Sequence, residues 1–335
     1  MSNSALQINV NNTQKAFAYK TDRDLKRARF LFTVMQFAPL VKLGTQITPW
    51  AIKSGLPVKG IIKNTLFKQF VGGESLEETV GVADMLEKFN VQVILDYGVE
   101  GGEGDEDKYE AEASYFIKVI QFAATRKNIP FISIKITGLV SSSLLEKLDT
   151  SLSTNGVEPL HTRFNSKFQQ LSQEEKAQWE QLMARTVRLC QAASDAGIGI
   201  MIDAEESWIQ DAIDVVATQM MAAFNLGKVV VYNTVQLYRS DRLSYLSNTL
   251  EEAEQAGYLA GLKLVRGAYM EKERARAMEL GYPSPIQPSK ESTDRDYDTA
   301  IGICMTKIEL VSIIVASHNE KSNLLAANES GSKHL

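Results

Sequence analysis

From about residue 90 onward, short apolar runs alternate with longer stretches whose apolar residues recur at helical spacing. The runs are "VQVILDY" (91–97), "FISIKITG" (131–138), "GIGIMIDAE" (197–205), "KVVVYNT" (228–234), "LAGLKLVRG" (259–267) and "VSIIVASHN" (311–319). Rich in Val and Ile and too short for ordinary helices, they predict six strands. Strands separated by helices predict a parallel sheet with helical crossovers, the α/β class. The stretch "TSLSTNGVEPLHTRFNSKF" (150–168) reads as a polar insertion. Behind it, Ser172 and Glu175 predict a capping box, Gly197 a helix end, and Trp179, Leu182, Met183 and Val187 a core face. The glycines of "VEGGEGDED" (99–107) stand beside acids, so that stretch is expected to be a solvated loop and not a phosphate cradle. No G-x-G-x-x-G follows any strand, which removes support for the usual dinucleotide-binding sheet.

Length and charge add a division. A chain of 335 residues, 44% apolar, suits one large α/β barrel or two ordinary domains. Residues 1–70 hold eleven Lys and Arg against two Asp, a net of +9, so the rest carries −14 within the total of −5. We therefore expect a basic helical arm at 1–85 and the main domain at 86–335. Within the arm, "LPVKGIIKNTLFKQF" (56–70) is basic and amphipathic. Packing on the main domain with its lysines in water is the ordinary reading, and contact with an anionic membrane surface is the other. No apolar run reaches the length of a membrane span, and "FLFTVMQFAPLV" (30–41) begins too late for a secretory signal, so the expected location is cytoplasmic, with peripheral contact to the inner membrane through the arm. Cys190 and Cys304 alone give no disulfide framework, and His161, His318 and His334 have no metal-ligand spacing. The arm lacks interleaved stacking aromatics, so no nucleic-acid partner is expected.

The chemistry gathers at the strand ends: Asp96, Lys135, Asp203, Gln236, Lys263 with Arg266, and Ser317 with His318. In a parallel barrel these ends share one mouth. The set is cationic and hydrogen-bonding, with one conspicuous carboxylate and no Ser-His-Asp or Cys-His arrangement, which suits an anionic, polar cofactor. In "KLVRGAYMEKERARA" (263–277), Gly267 and Ala268 have two readings, a tight strand-to-helix turn or a bare stretch of backbone that a flat ring approaches. Tyr269 either roofs a substrate or fills the core. A Schiff-base enzyme using Lys135 or Lys263 is a further reading of the same residues.

The motifs "LDYGVEGG", "FISIKITGL", "MIDAEESW", "VVYNTVQLYRSD", "KLVRGAYMEKERARA" and "VASHNEKS" resemble, in order and spacing, the strand-end motifs of proline dehydrogenase. The resemblance runs from about Asn11 to about Asn323. It implies a (β/α)8-type, TIM-like barrel holding FAD, which oxidises L-proline to Δ1-pyrroline-5-carboxylate and passes electrons to a quinone. It also implies roles. Asp203 and Lys263 would be catalytic, and Lys135 and Tyr269 would bind substrate. Ala204, Gln236, Arg266, Gly267, Ala268, Ser317 and His318 would contact the flavin cofactor. The sequence given stops at Leu335, ahead of the family's last two strands and the final helix with its paired arginines. An impaired remnant is therefore the alternative to an active enzyme.

Overall fold

The computed structural model describes residues 11–54, 60, 62–98, 104–150 and 158–332. Six strands form one parallel sheet in chain order: β1 (Ile94–Asp96), β2 (Phe131–Ile134), β3 (Gly199–Ile202), β4 (Val231–Gln236), β5 (Ala260–Val265) and β6 (Val311–Val315). All six expected strands are present, each shorter than its apolar run. The remaining residues of most runs continue past the strand as loop and carry the polar groups of the site. Between consecutive strands lie helices, as a parallel ladder requires, since its strands cannot be joined by a tight turn.

By packing, the chain divides into one unit of Asn9–Val93 and another that contains Ile94–Leu335. In the larger unit, β2, β3 and β4 are the core, with Ile132, Ile200, Ile202, Val231 and Val235 wholly out of water. Helix Glu106–Ala124 shows how the sequence selects its buried face: Tyr109, Ala113, Phe116, Ile120 and Ala123 recur at intervals of three and four, and Asp105 caps the first turn by accepting from the Lys108 N–H.

Helix Gln173–Ala196 begins at the expected capping box, with Ser172 and Glu175 each accepting from the other's backbone, and ends on Gly197 at φ 68°. Its core face differs from the one expected. Trp179 and Leu182 are buried, but Met183 is only partly so and Val187 is 42% exposed. The buried stripe continues instead through Thr186, Leu189, Cys190 and Ala193, on a face that leaves Val187 outside. Of the polar insertion, residues 151–157 lie outside the described residues. The remainder forms helix Leu160–Gln169, whose Phe164 and Phe168 pack on Trp179 with ring centroids 5.0 and 6.4 Å away. Of the acidic glycine stretch, residues 99–103 also lie outside the described residues.

The smaller unit is helical. Helix Asp22–Met35 opens on a capping box of Thr21 and Asp24, and helices Ala38–Lys53 and Leu76–Glu87 follow. Lys63 pairs with Glu74 at 2.6 Å and Glu78 at 3.2 Å. Phe32 meets Phe70 edge-on, with centroids 6.0 Å apart.

Candidate active site

A cavity of about 670 Å³ opens at the carboxyl ends of β2 to β6. Strand geometry decides which side chains reach it. On β4, Thr234 and Gln236 line the cavity, while the intervening Val235 is buried away from it. On β5 the same alternation presents Lys263 and Val265, and the register places Thr234 beside Lys263 and Gln236 beside Val265. Lys135 and Asp203 are the first residues after β2 and β3, with the Asp203 N–H still donating to the Ile134 carbonyl at 2.9 Å.

One corner holds most of the charge. Asp203 Oδ1 is ion-paired with Lys263 Nζ, and Oδ2 lies 3.8 Å from Lys135 Nζ. The three side chains are only 10 to 15% exposed. Two ammonium groups thus share one carboxylate, and the corner carries net positive charge where water screens it poorly.

Beside that corner lies a carboxyl group that sequence reasoning did not single out. Glu205, 3% exposed, accepts from the Thr137 N–H at 3.1 Å and from the Thr137 hydroxyl at 2.5 Å. Burial pushes its carboxyl up to about 7, against the opposing pull of the Thr137 bonds and of Lys135. Its backbone N–H donates to Gln210 Oε1 at 2.9 Å, and its backbone carbonyl accepts from Gln236 Nε2 at 2.8 Å. Glu205 thereby ties the ends of β2, β3 and β4 together. Gln236 is 2% exposed, and its Oε1 is a buried acceptor without a hydrogen-bond partner.

Arg266, just past β5, is the second hub. Its guanidinium donates to Asp294 Oδ1 at 2.7 Å, Ser317 Oγ at 2.5 Å and Ser322 Oγ at 3.0 Å, and lies 4.2 Å from the centroid of the Tyr297 ring. A hydrogen bond from Lys290, reinforced by Arg266, holds the Asp294 carboxyl below its ordinary range. The Tyr297 hydroxyl donates to the Leu264 carbonyl at 3.0 Å, fixing helix Lys290–Thr306 against β5.

Two features of the structure bear on the readings left open at 263–277. Gly267 has φ 139°, and a Cβ there would lie 2.4 Å from ring carbons of Tyr238, so packing against Tyr238 explains the glycine. Tyr269 is half-buried at the cavity wall, not in the core. Helix Met270–Leu280 is anchored by Glu273, which accepts from the Ser207 N–H and hydroxyl, both at 2.6 Å.

Each of the eleven site residues expected from the sequence lines this one cavity: Lys135, Asp203, Ala204, Gln236, Lys263, Arg266, Gly267, Ala268, Tyr269, Ser317 and His318. Asp96 does not. It is exposed on β1 and lies outside the lining, which among the described residues comes from the ends of β2 to β6 and the helices that follow. Lys290 and Asn319 complete the wall and were not anticipated, and Glu205, Asp294 and Tyr297 stand behind it.

The proline dehydrogenase family model matches residues 80–334. Proline dehydrogenase 1, mitochondrial, of Dictyostelium discoideum is 30% identical over 291 residues, covering 79% of this chain and 51% of that protein. The hydroxyproline dehydrogenase of Xenopus laevis is 30% identical over 339 residues, covering 92% of this chain and 71% of that protein. Among solved structures, proline utilization A (PutA) from Bdellovibrio bacteriovorus superposes with a TM-score of 0.65 at 17% identity, over 96% of this chain and 33% of that one. PutA of Bradyrhizobium japonicum superposes at 0.59, over 77% of this chain and 24% of that one. The fold is that of these TIM-barrel-like domains, and the chain belongs to the proline dehydrogenase family. It spans about half the length of the Dictyostelium relative and a third of the Bdellovibrio PutA chain.

Proposed function

We propose that this chain oxidises L-proline to Δ1-pyrroline-5-carboxylate at the cavity, with FAD as the bound electron acceptor and a quinone as the acceptor beyond it. The observation that carries the reading is the meeting of all eleven strand-end positions at one cavity, in a chain of this family. The family match does not favour the alternative of an impaired remnant.

The residues present suit a flavin. Gln236 Oε1 is a buried acceptor in need of a donor, which a ring N–H supplies. Lys263 provides positive charge where a reduced ring is negative, and Ser317, His318 and Lys290 provide donors and charge for a phosphate. Gln236, Ala204, Arg266, Gly267, Ala268, Ser317 and His318 would hold the group. When bound, it supplies the two-electron acceptor for the reaction.

The chain's own residues do the rest. The net positive corner of Lys135, Asp203 and Lys263 attracts the substrate carboxylate, and Tyr269 packs on the five-membered ring. Positioning is the main task. The C–H bond beside the ring nitrogen breaks with its electron pair, the N–H proton is lost to solvent, and a C=N bond forms. The low exposure of the corner keeps its cations effective as charge moves. The Dictyostelium discoideum and Arabidopsis thaliana relatives are named mitochondrial, so the location proposed is peripheral to an inner membrane rather than simply cytoplasmic.

Trapping the product with an aromatic aminoaldehyde tests the reaction. The FAD-loaded chain should form the coloured adduct from L-proline and not from D-proline. No adduct from L-proline, with flavin bound, would refute the assignment.

A further inference from the structure

We propose that Glu273 is a positioning residue: its grip on Ser207 fixes the place of Tyr269 over the substrate ring and so sets the affinity for proline. The inference rests on the reading of the cavity given above. It assigns part of the substrate's fit to a side chain that stands outside the cavity lining.

Glu273 is wholly out of water, an uncommon place for a carboxylate that lines no cavity. The start of helix Ser207–Phe224 explains it. The N-cap of that helix, Glu206, makes no side-chain hydrogen bond to its first turn. Glu273 supplies the missing acceptor from another helix. One carboxylate oxygen accepts from the Ser207 N–H and the other from the Ser207 hydroxyl, both at 2.6 Å, at the helix end that favours negative charge. Two neighbouring contacts join the same helices: Lys272 pairs with Glu206, and the Arg276 guanidinium lies 4.5 Å from the centroid of the Trp208 ring. Lys272 is 65% exposed, so its pair holds the helices weakly, and the buried Glu273 carboxylate makes the firm connection.

Both ends of this connection belong to segments that build the site. Ser207 follows Asp203 by four residues, directly behind the stretch that carries Ala204 and Glu205. Tyr269 immediately precedes helix Met270–Leu280, and its carbonyl accepts from the Glu273 N–H at 2.9 Å, so the two residues share one helical turn. On the other side of Tyr269, Gly267 lies too close to the Tyr238 ring to admit a side chain. Tyr269 is thus held from behind by a bond to the segment that carries Asp203, and that bond sets the width of the cavity between the Tyr269 ring and the charged corner. A ring packed on the substrate holds the ground state and the transition state alike, so moving it raises KM and leaves kcat.

Titration of the FAD-loaded full chain with (S)-tetrahydrofuran-2-carboxylate, the substrate ring with oxygen in place of its N–H, followed by the change in flavin absorbance, tests the positioning apart from turnover. Steady-state kinetics with L-proline accompanies it. Glu273→Ala should weaken analogue binding and raise the KM for L-proline about tenfold, with kcat within about twofold. Glu273→Gln keeps an acceptor for the Ser207 N–H and should stay within about threefold of the wild type. Ser207→Ala deletes only the hydroxyl donor, should give a loss of about threefold in the same direction, and carries the test if Glu273→Ala does not fold. In a Tyr269→Ala background Glu273→Ala should add little, because its effect passes through Tyr269. Additive losses would overturn the proposal, since they would mean that Glu273 supports the fold at large. So would unchanged analogue affinity and KM in both Glu273→Ala and Ser207→Ala, or a fall in kcat at constant KM. A wild type that binds the analogue but forms no product from L-proline would refute the oxidation proposed above, and the analogue affinities of the variants would then decide the positioning alone. A wild type that binds neither compound would overturn both.

Discussion

Gln236 donates from Nε2 to the main-chain carbonyl of Glu205 at 2.8 Å, and this contact fixes which way the amide turns. With the nitrogen committed to β3, Oε1 is left as the acceptor, buried and without a partner at the cavity wall. Gln236→Leu removes both ends of this arrangement. A neutral hydrogen bond contributes about 0.5–1.5 kcal/mol, and the orphaned Glu205 carbonyl adds a desolvation cost. FAD affinity should therefore fall about tenfold in equilibrium titrations, and unchanged affinity would contradict the role given to Oε1.

Among the described residues Asp203 is the only carboxylate on the wall, and it faces two ammonium groups, so Asp203→Ala leaves Lys135 and Lys263 to repel each other in a nearly buried corner. Turnover should fall about a hundredfold, with some flavin still bound. Lys135→Ala should lower kcat/KM mainly through KM, because it removes charge that draws in the substrate carboxylate. Steady-state kinetics separates the two, and wild-type rates in both variants would refute the site assignment.

Glu205 makes stability depend on pH in the direction opposite to an ordinary salt-bridged acid. Its folded value of about 7 lies above the ordinary 4.5 of a glutamate carboxyl. The folded state holds this proton more tightly than the unfolded chain, so the contribution is fully present below about pH 4.5 and is lost as pH rises through 7. The full change is on the order of 3 kcal/mol. Glu205→Gln keeps the hydrogen-bonding shape and removes the titration. Urea midpoints at pH 5 and pH 8 should therefore differ less in the variant than in the wild type, and equal pH dependence would contradict a protonated Glu205.

Gly267→Ala would place a methyl group against the Tyr238 ring at a backbone angle that L-residues rarely adopt. A loss of about 1–3 kcal/mol in urea denaturation is expected, together with weaker flavin retention. The adjacent Ala268→Gly serves as the control, with a much smaller effect.

How much of this was legible in the sequence follows from what each signal depends on. Strand position was readable from short Val and Ile runs, and once the sheet is parallel the residues after each strand must converge, which is why Lys135, Asp203 and Ser317 meet although they are far apart in the chain. Their roles came from the family resemblance, not from spacing. Asp96 misled because none of the described residues at the end of β1 lines the mouth. Glu205 and Glu206 are adjacent acids in "DAEE", and only the fold shows that one is buried against Thr137 while the other pairs with Lys272. Asp294 and Tyr297 lie inside a helix, where a helical pattern gives no sign that they grip Arg266. Val187 failed as a core residue because spacing alone admits two neighbouring faces of one helix.

The central claim is that this cavity brings flavin and proline together, and the most direct measurement is the visible spectrum of the chain after incubation with FAD and gel filtration, followed by anaerobic addition of L-proline. The account predicts a retained flavin spectrum that bleaches with L-proline and persists with D-proline. A bound flavin whose spectrum ignores L-proline would contradict it.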